Sequence, residues 1–184
     1  MAAGVATRNR PVERVHIDQP KKSKTVPEII DVDIHHQTQK VDELYPYLPR
    51  NYVEQIQDFG AMMPGVGYTN MPGKGSRHDL WAEMDGEVNP AALVEVCREK
   101  HLDRYDIDIG VLTGGPSTAA VHTNPDYASA YCRAFNDWTA DHWLSADGRL
   151  RGSIHIAPQD PALAVAEIER LADDPRYIQV SMPC

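Results

Sequence analysis

The sequence predicts an α/β fold in which parallel β-strands alternate with α-helices. The first observation is a series of short alternating apolar segments separated by longer segments with helical periodicity. The second is that the helical segments start at an Asn-Pro or Asp-Pro pair, in which the first residue caps the helix and the proline needs no hydrogen-bond partner. Strands joined through helices pair in parallel through right-handed crossovers. We therefore expect one sheet of about four parallel strands with about three crossover helices.

The first strand is predicted within residues 28–36 (EIIDVDIHH), where apolar and polar residues alternate. We expect a buried strand whose apolar face carries Ile30, Val32 and Ile34, and whose polar face carries Asp31, Asp33 and His35.

Residues 37–88 follow as a long insert between the first strand and the next crossover helix. Short helices are predicted at 42–48 and 50–58, followed by a loop rich in Gly, Met and Pro. A loop of this length is too long for an ordinary connection and is typical of a functional lid or of a partly disordered segment. The chain then becomes regular, with helices predicted at 89–101, 124–144 and 160–172 and strands at 106–113, 150–156 and 177–182.

Charge separates a leader from the rest of the chain. The 184 residues carry 18 Lys and Arg against 27 Asp and Glu, for a net charge of −9. Residues 1–27 hold six basic and two acidic residues, which leaves 12 basic and 25 acidic residues for the remainder. A basic leader with few core residues predicts a disordered tail. An organelle transit peptide is the alternative, and Glu13 and Asp18 count against it.

Composition also excludes several classes of protein. An acidic total argues against a protein that coats nucleic acid, and no apolar run approaches the length of a transmembrane helix. The leader lacks the apolar segment of a secretory signal. Cys97, Cys132 and Cys184 are odd in number and widely spaced. A reducing, cytoplasmic location without structural disulfides is therefore predicted.

The carboxyl end of the first strand is the predicted functional site, because functional groups of parallel α/β proteins gather where strands end. Asp33 and His35 are two residues apart and are expected on one face. A carboxylate and an imidazole at this spacing can bind one divalent cation. An oxygen ligand suits Mn or Mg, and an imidazole ligand suits Zn. Simple solvation of both is the alternative. Asp31 is expected on the same face as a supporting hydrogen-bonding residue, and His36 on the opposite face as a packed or surface histidine.

Three further residues are candidates for the chemistry. His155, near the end of the third strand, is interpreted either as a catalytic residue that reaches a substrate or as a hydrogen-bonded core histidine. Arg77 and His78, in the long loop, are candidates for binding an anionic substrate, and a solvated loop is the alternative. No nucleotide-binding glycine motif or nucleophile elbow follows a strand.

Four stretches of the sequence, in order, resemble the amidohydrolase-related (amidohydrolase 2) family. They are IIDVDIHH with DELYPYLPRNY, then LDRYDIDIGVLTGG, NPDYASAYCRAFNDWTADHW and GRLRGSIHIAPQDPALAVAEIERL. The resemblance as a whole covers about residues 28–184, nearly everything but the leader. The resemblance is to the branch that contains aminocarboxymuconate-semialdehyde decarboxylase and the resorcylate and carboxyvanillate decarboxylases.

The resemblance implies a metal-dependent (β/α)8 TIM barrel, of which residues 28–184 would form the N-terminal half. Its first-strand motif supplies two metal ligands, which map onto Asp33 and His35. Asp in the first place departs from the HxH of many members, so Zn and Mn are both consistent with it. The family's other ligands, a histidine and an aspartate from later strands, are expected beyond Cys184. A complete barrel has about 250 residues. A small doubly wound three-layer domain is the alternative architecture.

On these grounds we expect the full-length protein to be a homo-oligomeric, metal-dependent decarboxylase of a small carboxylated, often aromatic, substrate. A metal-dependent hydrolase of an ester, lactone or amide bond is the first alternative, and a catalytically inactive fragment or interaction module is the second. A half-barrel dimer that completes the site in trans is a further alternative. The 184-residue chain alone is expected to be weakly active or inactive, because catalytic zinc usually has three protein ligands. No nucleic-acid or membrane partner is expected.

Overall fold

The structure of the chain is a computed structural model that describes residues 29–61, 78–84, 88–116, 118–119 and 122–182. The predicted leader lies outside this part, as do residues 62–77 of the predicted insert. No helix within the described ranges is both long enough and apolar enough to cross a membrane.

The first half of the described chain contains one strand and several short helical segments. β1 (Ile30–Ile34) is followed by a 3-10 segment at Val41–Tyr47 and then by α1 (Arg50–Phe59). Both short helices predicted at the start of the insert are therefore present. α2 (His78–Glu83) lies near the end of the insert.

The helix predicted at residues 89–101 is built from three pieces. A 3-10 turn at Pro90–Ala92 leads into α3 (Val94–Cys97), which continues as a π-helical segment at Arg98–Leu102. The side-chain oxygen of Asn89 accepts a hydrogen bond from the Ala91 N–H at 3.1 Å, so the predicted cap is present although the helix is irregular.

The two later helices begin where the Asn-Pro and Asp-Pro pairs predict. α4 (Pro125–Thr139) continues into a π-helical segment at Ala140–Leu144, and α5 (Pro161–Leu171) follows the third strand. The side chains of Asn124 and Asp160 accept hydrogen bonds from backbone N–H groups of the first turns. These contacts confirm the predicted capping.

A four-stranded sheet holds the elements together. β2 (Ile109–Leu112), β3 (Leu150–His155) and β4 (Tyr177–Ser181) join β1 in the order β1-β2-β3-β4, and each neighbouring pair is parallel. This confirms the predicted α/β fold, and the arrangement is that of a partial (β/α)8 barrel. β2 begins later than predicted because the chain turns at Asp106, whose φ is +54°.

β1 departs from the strict alternation that the sequence predicts. Asp31 pairs with Gly110 and Ile34 pairs with Leu112, so three steps along β1 face two steps along β2. One extra residue therefore forms a β-bulge between Asp31 and Ile34, and a bulge changes which sheet face the following side chains share with the preceding ones.

The two outer strands carry exposed apolar side chains. Ile30 and Val32 of β1 are 52% and 63% exposed, while Ile34 packs against the core. The prediction of one buried apolar face for β1 is therefore wrong: Ile30 and Val32 are exposed, and the bulge separates them from Ile34, which packs against the core. On β4, Ile178 and Val180 are also exposed. The tight packing of the sheet is concentrated on β2 and β3.

The largest core cluster includes the inner face of α4 and sheet residues. One apolar stripe of α4 is buried, and its members are Tyr127, Tyr131, Ala134 and Trp138. Aromatic and aliphatic side chains of this size contribute roughly 1.5–3 kcal/mol each on burial. This cluster is what fixes α4 against the sheet.

A buried asparagine joins α4 to β3 and α5. The side-chain nitrogen of Asn136 donates to the His155 carbonyl at 3.0 Å and to the Glu167 carboxylate at 2.8 Å. Its side-chain oxygen accepts from the His155 N–H at 2.9 Å. Asn136 thus provides a partner for both backbone groups of His155 at the carboxyl end of β3.

Candidate metal centre

The predicted pair, Asp33 and His35, lies together at the carboxyl end of β1. The His35 Nε2 is 3.0 Å from the Asp33 Oδ1, and the two side chains are 68% and 71% exposed respectively. The order of the chain explains this placement, since Asp33 is in β1 and His35 follows its last residue. Both donors are therefore accessible to a ligand from solvent.

Thr113, which directly follows β2, holds the Asp33 carboxylate. Its hydroxyl donates to the Asp33 Oδ1 at 2.7 Å. This hydrogen bond is the main reason that the pKa of Asp33 lies below its ordinary value; burial opposes it, and the neighbouring His35 lowers the pKa further. The Asp33 side chain is consequently an anion at neutral pH.

Asp31 lies against the helical layer and supports Asp33 through the backbone. Its Oδ2 is 2.6 Å from the Nε2 of His101, in the π-helical segment that follows α3. Its Oδ1 accepts a hydrogen bond from the Asp33 N–H at 3.0 Å. The expected shared face with Asp33 is replaced by this arrangement because of the bulge, which separates Asp31 from Ile34 in the ladder.

The loop after β2 packs directly on the loop after β1. The N–H groups of Thr113 and Gly114 both point to the Ile34 carbonyl, at 2.9 Å and 3.3 Å. A Cβ on Gly114 would lie 2.1 Å from the His36 carbonyl oxygen, so only glycine fits there. The two loops are therefore held at backbone contact on either side of the Asp33 and His35 pair.

His155 is buried next to Gly115 rather than presented to solvent. Its side chain packs edge-on against Phe135, and a Cβ on Gly115 would come within 2.8 Å of its Nε2. Burial lowers the pKa of His155 to about 4, and the neighbouring Gly114 backbone opposes this only in part. Within the described residues, no hydrogen bond joins His155 to Asp33 or His35.

His36 points away from the candidate centre into the core, as a packed histidine. Its Nε2 is 2.8 Å from the Thr139 hydroxyl, and its ring stacks on Trp138. Burial lowers the pKa of His36 well below its ordinary value, so the ring is neutral. It anchors the end of β1 to α4.

The remaining predicted site residues are not placed. Arg77 lies outside the described part of the chain, and His78 begins α2 but its side chain lies outside the described part. Their expected contact with an anionic substrate stays a prediction.

Asp33 and His35 fit a divalent cation as two of its donors. The 3.0 Å between His35 Nε2 and Asp33 Oδ1 is a hydrogen-bond distance, so the fit rests on the chemistry of the two side chains and on their exposure. An oxygen and an imidazole donor suit Zn or Mn. In the part of the chain that the structure describes, no group of three or more His, Cys, Asp or Glu side chains could hold a metal ion.

Thr113 and His101 were missed by the sequence reasoning. Their partners are 80 and 70 residues away along the chain. The only signal for Thr113 was its position at the end of a predicted strand, where a polar residue precedes a Gly-Gly pair.

The fold and the pair at the end of β1 define an α/β protein of the barrel type, with its polar chemistry at the carboxyl ends of parallel strands. A comparison with known families agrees, because the amidohydrolase family matches residues 30–183. The chain belongs to the amidohydrolase family, which supports an amidohydrolase-type enzyme. No curated protein matches the chain in a sequence comparison.

Proposed function

We propose that Asp33 and His35 supply two ligands to a catalytic Zn or Mn ion, and that the protein is a decarboxylase of small carboxylated, often aromatic, compounds. The observation that carries the proposal is the pair itself, an exposed carboxylate and imidazole 3.0 Å apart at the carboxyl end of β1. Membership of a family whose members are typically metal-dependent supports it.

In this proposal, Asp33 and His35 would bind and orient the metal ion and would not react themselves. The Asp33 carboxylate is held through Oδ1 by Thr113, which leaves Oδ2 as the oxygen for a cation. His35 is exposed and can present a ring nitrogen to a metal ion. When bound, the metal ion would act as a Lewis acid on a substrate oxygen. Further protein donors would come from outside the described residues, since three protein ligands are usual in catalytic zinc sites.

The decarboxylase branch is favoured by the first-strand sequence and the three later stretches that resemble aminocarboxymuconate-semialdehyde decarboxylase and its relatives. A hydrolase is the second candidate, because the matched family is described as amidohydrolases. In a hydrolase the metal ion would lower the pKa of a bound water instead. The metal ligands are the same in both, so the reaction product separates the two proposals.

The first experiment tests the metal site. The purified chain is titrated with Mn²⁺ and Zn²⁺, and bound metal is measured by competition with a chelating dye. Asp33→Ala and His35→Ala should each lower the affinity by at least tenfold, because each removes one ligand. Asp173→Ala and His122→Ala are matched controls, because they remove the same side-chain types away from the candidate centre. Asp173 is exposed, and His122 is within hydrogen-bond distance of the Asn124 carbonyl, just before α4. Undiminished metal binding by Asp33→Ala or His35→Ala would refute the assignment of that residue as a metal ligand.

The second experiment tests the reaction. The metal-loaded protein is supplied with a panel of 2-hydroxybenzoate-type acids, aryl esters, lactones and amides. Carbon dioxide release supports the decarboxylase, and carboxylate formation from the esters, lactones or amides supports the hydrolase. Absence of both products, with metal bound, would favour the catalytically inactive alternative.

A further inference from the structure

We propose that Thr113 is a positioning residue that sets the orientation of the Asp33 carboxylate for metal binding, an inference that rests on the proposed function. Thr113 lies at the start of the loop after β2 and faces the candidate centre, although it is not itself a donor in the proposed ligand pair.

The first support is that Thr113 holds the Asp-x-His segment at two points. Its hydroxyl donates to the Asp33 Oδ1 at 2.7 Å, and its backbone N–H donates to the Ile34 carbonyl at 2.9 Å. These contacts restrain the Asp33 side chain and the peptide that lies between the two proposed ligands. A single residue thus restrains the Asp33 side chain and the backbone that leads to His35.

The second support is that the two oxygens of the Asp33 carboxylate have different contacts. A hydroxyl has one hydrogen to donate, and Thr113 gives it to Oδ1, which His35 also contacts. No hydrogen bond within the described residues engages the Asp33 Oδ2. A cation that displaces the His35 contact would therefore find Oδ2 free and Oδ1 still tied to Thr113.

The third support is that close packing restrains the backbone of the loop after β2, which contains Thr113. Gly114 is in contact with the His36 backbone, and Gly115 lies against the buried His155 ring. A hydroxyl on a loop that is packed on both sides makes a more defined hydrogen bond than one on a free surface loop. Hydrogen-bond partners of metal ligands typically change metal affinity by 10- to 100-fold.

The test compares Thr113→Val, which replaces the hydroxyl by a methyl group, with Thr113→Ser, which keeps it. Thr123→Val is the matched control, because Thr123 is exposed and precedes the cap of α4. Urea unfolding of each variant checks that the fold is retained. Mn²⁺ affinity should fall at least tenfold in Thr113→Val and stay within about threefold of the parent chain in Thr113→Ser and Thr123→Val. Equal affinity in Thr113→Val would overturn the inference.

A second measurement needs no metal. Proton–proton couplings of the Asp33 side chain, read by NMR, should indicate one χ1 rotamer in the parent chain and in Thr113→Ser. In Thr113→Val the couplings should show averaging over several rotamers. A single unchanged rotamer in Thr113→Val would refute the positioning role whatever the metal titration gives. Failure of the parent chain to bind Mn²⁺ or Zn²⁺ would instead count against the proposed function.

Discussion

Replacing Gly114 by alanine should uncouple the loop after β2 from the end of β1. A Cβ at this position would lie 2.1 Å from the His36 carbonyl oxygen and 2.2 Å from the His36 nitrogen. Both neighbours are backbone atoms and cannot turn aside. Since ordinary contact begins at 3.4 Å, the loop would have to retreat by about 1.3 Å, or the strand would have to distort by the same amount.

The magnitude follows from what that retreat breaks. The N–H groups of Thr113 and Gly114 lie 2.9 Å and 3.3 Å from the Ile34 carbonyl, and a shift of this size takes both beyond hydrogen-bond distance. Two backbone hydrogen bonds contribute about 1 kcal/mol each, and forced overpacking adds about 1–3 kcal/mol. We expect Gly114→Ala to lower the free energy of unfolding by about 3–5 kcal/mol.

Urea unfolding followed by circular dichroism measures this change. With a slope of about 2 kcal/mol per molar urea, the midpoint should fall by roughly 1.5–2.5 M. Gly148→Ala is the matched control, because a Cβ at Gly148 meets nothing within 4 Å, and its stability should stay within about 0.5 kcal/mol of the parent. If Gly114→Ala were as stable as Gly148→Ala, the close packing of the two loops would be refuted.

Two further outcomes are expected. Because burial lowers the pKa of His155 from its ordinary value of 6.5 to about 4, His155 takes up a proton in the unfolded chain at a higher pH than in the folded chain. The contribution of the buried, neutral His155 to the free energy of unfolding is therefore complete above pH 6.5 and is lost towards pH 4, by up to about 3 kcal/mol. His155→Gln should flatten urea midpoints measured between pH 7 and 4.5, and an unchanged slope would contradict the assignment. Asn136→Ala leaves the buried N–H and carbonyl of His155 without their partner and should cost about 2–4 kcal/mol in thermal or urea unfolding; a loss below 1 kcal/mol would show that these groups find other partners.

The elements that local signals specify were predictable from the sequence. Asn89, Asn124 and Asp160 each cap a helical segment as their position before proline indicates. The cap involves residues only two or three positions apart, so no tertiary information is needed. The four parallel strands follow from the alternation of strand and helix.

Features that depend on distant pairing were not predictable. The bulge in β1 is a property of the ladder with β2, and nothing within residues 28–36 marks the extra residue. The contact of Asp31 with His101 joins residues that are 70 positions apart. The Asp33 and His35 pair could be predicted because two residues of separation suffice, whereas the Thr113 contact spans 80 residues and required the sheet register. The π-helical segments that follow α3 and α4 were likewise not predictable, because Arg98–Leu102 and Ala140–Leu144 continue the helical pattern.

The bulge in β1 has a consequence for how this scaffold can diversify. Asp31 and Asp33 are two positions apart, on either side of the start of the bulge, and they serve different layers. Asp31 contacts His101 in the helical layer, and Asp33 is exposed at the carboxyl end of the sheet. The structural contact and the chemical group are therefore separable. Substitutions at position 33 can alter the ligand chemistry while Asp31 and His101 keep the strand attached to its helix, so the reaction and the scaffold can vary independently.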